Sequence, residues 1–156
     1  MKKIKVKKGT ILQRTGDLTS MVYSVESGLI RSYTIDQKGK EHIYMFGPEN
    51  WIVADNCEPN SPCQLFIDVI EDSVLTVDVK NEFLNEGPDL KSLLRRLFVM
   101  QNRIIMLMSS NATDRYEHFL KTYPDIIQRV PQKMVASYLG ITPEALSRVR
   151  REISKK

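Results

Sequence analysis

Histidine, cysteine and tryptophan are scarce in this chain, which has 2, 2 and 1 of them in 156 residues. His42 and His118 lie far apart, and with Cys57 and Cys63 they lack the spacing of zinc ligands. Two cysteines cannot supply the four thiolates of the usual iron–sulfur cluster, nor a disulfide framework. No metal and no cofactor are therefore expected. Cys57 and Cys63 flank residues 58–62, which read as a loop. Free thiols are the default there, with a redox pair as the alternative. No apolar run approaches the length of a membrane span, and no signal peptide opens the chain, so a cytoplasmic protein without a membrane partner is expected. Also missing are a G-x-S-x-G elbow, a phosphate-cradling glycine loop and an H-E-x-x-H pair. A cupin-like enzyme would need a histidine cluster that is not there. No catalytic residue is assigned, and an enzyme is not expected.

What is present divides unevenly. Residues 1–90 hold 10 Lys and Arg against 14 Asp and Glu, whereas residues 91–156 hold 13 against 5. A net of −4 beside a net of +8 puts any phosphate-binding surface in the second part and gives the first a different task. Length and composition suit one or two small globular domains with a real core.

The stretch VPQKMVASYLGITPEALSRVRREISK, residues 130–155, predicts two short helices and a tight turn. The first runs from Pro131, suited to a first helical position, to about Leu139. Gly140 supplies the positive φ that ends it, and Thr142 then caps a second helix that opens on Pro143. This is the spacing of a helix-turn-helix. Val135, Ala136 and Leu139 would pack on Leu146, Val149 and Ile153, with Ile141 plugging the turn. At about 100° per residue, Glu144, Ser147, Arg148 and Arg151 fall on the opposite, exposed side. Arg148 can donate twice to guanine, Glu144 can accept from cytosine, and Ser147 can do either. Gln132, Lys133, Thr142 and Arg151 are suited to the DNA backbone. The competing reading is a structural helical hairpin with a solvated charged face, on a ligand-binding or scaffold protein.

Upstream, eight short β-branched or aromatic runs predict strands at 4–6, 10–12, 21–26, 29–35, 41–46, 51–53, 64–69 and 74–79. Gly9, Gly16, Gly28, Gly39 and Gly47 punctuate them, as in a sandwich or barrel. A short helix is expected over 80–86, broken by Gly87-Pro88. A long helix follows over 89–110. In it Leu90, Leu94, Leu97, Gln101, Ile104 and Met108 keep a 4-3-4-3-4 spacing, a seam with one polar position. Either the helix packs on its own β-domain or it pairs with a second copy. Residues 111–114 read as a hinge with Thr113 as N-cap, and a further helix spans 114–123.

The run Glu144-Ala145-Leu146-Ser147-Arg148 resembles the E-x-x-S-R recognition helix on the Fnr side of the Crp/Fnr family of bacterial transcription regulators. Pro143 stands where the cAMP-receptor side has an arginine, so that contact is not expected. KKGTIL, TGD, VYSVESGLIRSY and the DxxGKE turn resemble, in order, the family's β-roll sensor. The resemblance implies an α+β chain in three parts: a cyclic-nucleotide-binding-like β-roll over 1–88, a long dimerisation helix over 89–112, and a helix-turn-helix domain over 113–156. It implies base reading by Glu144, Ser147 and Arg148 on a pseudo-palindromic duplex. It also implies a homodimer through the long helix, RNA polymerase as a further partner, and a small-molecule effector or none. The chain starts on the first strand and stops three residues after Ile153, so neither a helical lead-in nor a wing is expected.

In the family's cyclic-nucleotide receptors a Gly-Glu pair reads the ribose and an arginine reads the phosphate. Residues 49–69 contain neither; Glu58 follows Cys57, and Gln64 stands near the arginine's place. A neutral amide cannot replace a charge-assisted fork, and Asp55 and Glu58 would repel the phosphate. cAMP and cGMP are not expected to bind. Trp51, Ile52, Gln64 and Phe66 are the candidate lining of a pocket for some other effector.

Overall fold

A computed structural model describes residues 2–58, 60–80 and 90–155, with backbone alone for Ser92, Leu93, Arg95 and Arg96. The chain divides into two compact units, 1–88 and 89–156.

The first unit is built on two long antiparallel strands. β3 (Met21–Ile35) and β6 (Phe66–Val79) pair along nearly their whole length. β1 (Lys2–Val6) and β2 (Ile11–Gln13) add to β6, while β4 (Glu41–Gly47) and β5 (Ile52–Ala54) add to β3. Tyr23, Val25, Ile30, Val53, Ile67, Val69 and Leu75 form the core, and Ile4, Val6, Leu12 and Met45 pack against it.

Two pairs of expected short strands are thus single long ones. Gly28 marks a bulge inside β3 rather than a turn. Its φ is +90°, and the β3–β6 register slips on both sides of it. A bulge frees backbone N–H groups that must find other acceptors. Gly28 N–H donates to Glu49 Oε1 at 3.0 Å, and Leu29 N–H donates to Ser73 Oγ at 3.2 Å. A Cβ on Gly28 would lie 2.3 Å from Ser73 Oγ and 2.5 Å from the Asp72 carbonyl oxygen, so only glycine fits. Thr10, Trp51, Gln64 and Leu65 fall outside the strands expected to hold them.

Arg31 is a buried cation in the middle of β3. Its guanidinium donates from Nε and Nη2 to the two oxygens of Asp68, at 2.8 and 3.0 Å. Nη1 donates to Glu41 at 2.6 Å, and the group stacks 4.2 Å over the Tyr33 ring. Burial opposes the charge, but Asp68 and Glu41 outweigh it and push the Arg31 pKa up. Tyr33 in turn stacks on Phe66, with ring centroids 5.3 Å apart.

The second unit is helical: α1 (Leu90–Ser109), α2 (Ala112–Thr122), α3 (Ile126–Arg129), α4 (Gln132–Leu139) and α5 (Pro143–Ile153). Phe119, Tyr123 and Tyr138 form an aromatic cluster with centroids 5.4 to 5.5 Å apart. α2 begins earlier than its composition suggests. Its N-cap is Asn111, whose side chain accepts from Asp114 N–H at 3.0 Å, not Thr113. The expected hinge over 111–114 therefore lies largely inside a capped helix. Residues 126–129 form the single turn α3. The helix expected over 80–86 lies, apart from Lys80, outside the described residues. Among the described residues no helix is long and apolar enough to cross a membrane.

Candidate nucleic-acid interface

The α4–α5 pair is shaped by local chemistry at its turn. Gly140 has φ +66°. Ile141 N–H donates to the Ala136 carbonyl at 3.0 Å and Gly140 N–H to the Ser137 carbonyl at 3.2 Å, the two bonds of a Schellman ending. A Cβ at Gly140 would meet nothing closer than 3.6 Å, so glycine is needed for its backbone angle rather than for space. Two residues later Thr142 caps α5, its Oγ1 accepting from Ala145 N–H at 3.2 Å, with Pro143 in the first turn. Pro131 precedes α4 as its N-cap instead of being its first residue, a shift of one position.

Between the helices Val135, Ala136, Leu139, Leu146 and Val149 are buried, and Ile141 and Ile153 half-buried. With that side sealed, the polar side must face outward. Glu144, Ser147, Arg148 and Arg151 are all exposed on α5, as are Gln132 and Lys133 on α4 and the Thr142 cap. Hydrogen bonding to its own backbone N–H and to Thr142 holds the Glu144 carboxyl below its ordinary range, so at neutral pH it is an acceptor.

Two arginines fix this pair onto the rest of the helical unit. Arg115 donates from Nε to Ser110 O at 2.9 Å, from Nη2 to Leu107 O at 2.7 Å and from Nη1 to Leu139 O at 3.1 Å. One guanidinium thus satisfies carbonyls at the C-terminal ends of both α1 and α4. Arg103, on α1, donates to Tyr138 O at 3.3 Å and lies 3.9 Å over the Tyr138 ring. Neither arginine stands out in the sequence, because each partner is 5 to 35 residues away. A basic residue opposite a helix C-terminus is a signal only once the fold is known.

The same α1 leaves its seam uncovered. Leu90, Leu94, Leu97, Ile104 and Met108 are 54 to 81% exposed, and Gln101 is exposed with them. Phe98 and Ile105 widen the stripe.

The four residues considered as an effector lining are placed on different features. Trp51 is half-buried and precedes β5, Ile52 is exposed on β5, and Phe66 is stacked on Tyr33. Gln64 lines a cleft of about 620 Å³ together with Thr15, Gly16, Cys57, Glu58, Ser61, Pro62 and Cys63. Cys57, Cys63 and Asp55 come together, with their side-chain donor atoms within 4.8 Å of one another. Spacing alone did not reveal that group, because Asp55 completes it from outside the cysteine loop.

The sequence and the fold point the same way when set beside known proteins. No protein-family model matches the chain. It is 27% identical over 163 residues to the fumarate and nitrate reduction regulatory protein of Yersinia pestis, covering 92% of this chain and 65% of that protein. It is 24% identical to the anaerobic regulatory protein of Haemophilus influenzae, covering 92% and 63% respectively. The chain therefore spans somewhat less than two thirds of the curated relatives it matches. In three dimensions it is similar to FixK2 of Bradyrhizobium japonicum, with a TM-score of 0.77 at 19% identity over 99% of this chain and 84% of that one. It is equally similar to TTHA1359, a CRP/FNR-family transcriptional regulator of Thermus thermophilus, with a TM-score of 0.76 at 16% identity over 99% and 86%. The fold is a cyclic-nucleotide-binding-type β-roll joined to a helix-turn-helix, the α+β architecture expected from the motifs. In sequence and in fold the chain is similar to regulators of the Crp/Fnr family.

Proposed function

We propose that this chain is a sequence-specific, DNA-binding transcription regulator that binds a pseudo-palindromic duplex as a homodimer. The observation that carries the proposal is the exposed α5 face, where Glu144, Ser147 and Arg148 stand outward on a helix whose opposite side is sealed. Such a face enters a major groove, Arg148 forking to a guanine and Glu144 accepting from a cytosine. Gln132, Lys133, Thr142 and Arg151 hold phosphates and set the register. Residues 1–88 are the sensor, 89–112 the dimerisation helix and 113–156 the reader. In the dimer the seam from Leu90 to Met108 pairs with its copy, and the two readers enter successive major grooves about one helical turn apart. Regulation then works by population shift, an effector favouring one arrangement of the two readers. RNA polymerase is the partner a regulator of this kind addresses, in the cytoplasm.

The β-roll does not take cAMP or cGMP in this reading. Residues 49–69 bring no arginine and no Gly-Glu pair, and the Asp55 oxygens already accept four N–H groups. Calorimetry with either nucleotide at up to millimolar concentration should give no saturable heat. Micromolar binding abolished by changes within 49–69 would overturn this part.

The test of the function is selection from a random duplex pool. A two-fold symmetric winner is expected, its half-sites one turn apart. A pool that stays random after repeated rounds would contradict the proposal.

A further inference from the structure

We propose that Cys57 and Cys63 form a reactive dithiol that exchanges with low-molecular-weight disulfides and closes to an intramolecular disulfide. The segment between them is drawn into a loop by one carboxylate. Asp55 accepts from Cys57 N–H at 3.0 Å through Oδ1, and through Oδ2 from Gln64 N–H and Leu65 N–H, both at 2.7 Å. Gln13 Nε2 adds a fourth bond at 3.3 Å. Both ends of the cysteine segment are therefore held to one group, and the two sulfurs come within 4.8 Å of each other. The Cys63 backbone is also fixed, its N–H donating to Asp17 O and its carbonyl accepting from Gly16 N–H, each at 2.8 Å.

The two thiols differ in a way that assigns their roles. Cys57 is half-buried on the wall of the cleft, and Cys63 is 2% exposed. Lys80, itself buried, points its ammonium at Cys57 Sγ at 3.7 Å while donating to the carbonyls of Asp55 and Cys57. Standing on the cleft wall, Cys57 Sγ is the sulfur that a small disulfide from solution can reach. Burial, together with the neighbouring Cys57, pushes the Cys63 thiol up to about 11, so it keeps its proton until exchange begins. Cys57 is the attacking sulfur and Cys63 the resolving one. A resident metal is the poorer fit for the group, because the Asp55 oxygens are engaged by N–H donors and an ammonium stands beside Cys57.

The steps balance. The Cys57 thiolate attacks the small disulfide, forming a mixed disulfide and expelling one small thiolate. Cys63 then loses its proton to solvent and attacks Cys57 Sγ, expelling the second small thiolate. Two protein thiols are oxidised to one disulfide, and the small disulfide is reduced to two thiols. Lys80 is also the residue that follows β6, so the state of Cys57 bears on the point where the chain leaves the last strand.

The experiment treats the reduced full chain with oxidised glutathione at neutral pH and reads intact mass after alkylation. Wild type should lose two hydrogens, retain no glutathione, block both cysteines and recover with dithiothreitol. Cys63→Ser should hold a stable glutathione adduct on Cys57. Cys57→Ser should react at least about tenfold more slowly than Cys63→Ser, because its remaining thiol is buried. The proposal is overturned if wild type keeps the adduct, pairs between chains or stays unreacted. It is equally overturned if the two single variants react alike, or if the purified chain holds a metal that blocks both thiols.

Discussion

The two units use charge in opposite ways. In the β unit three buried charged groups are consumed by the fold: Arg31 is taken up by Asp68 and Glu41, Asp55 by four N–H donors, and Lys80 by two carbonyls and a sulfur. In the helical unit Arg115 and Arg103 are spent in the same way on helix ends, but Glu144, Arg148 and Arg151 are left on an outward face. Apolar surface divides similarly. The β-unit core is sealed, while α1 exposes leucines and isoleucines along most of its length. A unit that satisfies its own groups can stand as a sensor. A unit that leaves a charged face and an apolar seam open offers both to other molecules, in the proposed reading DNA and a second copy.

The contrast breaks most severely at the seam. Leu97→Asp would place a carboxylate where a dimer offers no water and no partner, on both copies at once. The dimer should weaken by about 4 kcal/mol or more, roughly a thousandfold in dissociation constant, with the fold intact because Leu97 is exposed in the single chain. Sedimentation of wild type and variant at micromolar concentration checks this. A monomeric wild type would remove the dimer from the account.

A comparable change inside the β unit should act on folding instead. Gly28→Ala brings a Cβ against the Asp72 carbonyl and the Ser73 side chain at a φ of +90°. Strain and overpacking together should cost about 3 to 5 kcal/mol, read as a lowered denaturant midpoint for the β unit. If the midpoint does not move, Gly28 is not the close approach described.

The smallest effect concerns pH and the helical unit. Burial, with Lys121 and Arg103 nearby, holds the His118 pKa below its ordinary value. The unfolded chain therefore takes up its proton first as pH falls. His118's contribution is fully present above about pH 6.5 and declines as pH drops below it. A small part of the acid loss in melting temperature should vanish in His118→Gln. An identical pH profile for the two proteins would show that His118 has no such role.

How much of this was legible in the sequence depended on how far the deciding contacts reach. The helix-turn-helix geometry was legible because Gly140, Thr142 and Pro143 act within their own turn, and the apolar spacing of Leu146 and Val149 is a property of one helix. The α1 seam was legible for the same reason. The long strands were not, because Gly28 looks the same in sequence whether it makes a turn or a bulge. Only its fit against Asp72 and Ser73, over 40 residues away, decides between them. The cysteine group was hidden in the same way: Asp55 binds across 9 and 10 residues, and Lys80 reaches back 23. Asn111 outcompeted Thr113 as a cap because its carbonyl reaches Asp114 N–H, a choice composition leaves open.

The central claim, that α5 reads bases, is tested most directly by site selection with wild type, Arg148→Ala and Lys133→Ala side by side. Arg148→Ala should lose about 1 to 3 kcal/mol on the preferred site and relax one base position in each half-site. Lys133→Ala should keep the preferred sequence, weaken binding to all duplexes alike and reduce the salt dependence by about one phosphate contact. If Arg148→Ala selects the wild-type sequence with undiminished preference, the reading face assigned here is wrong.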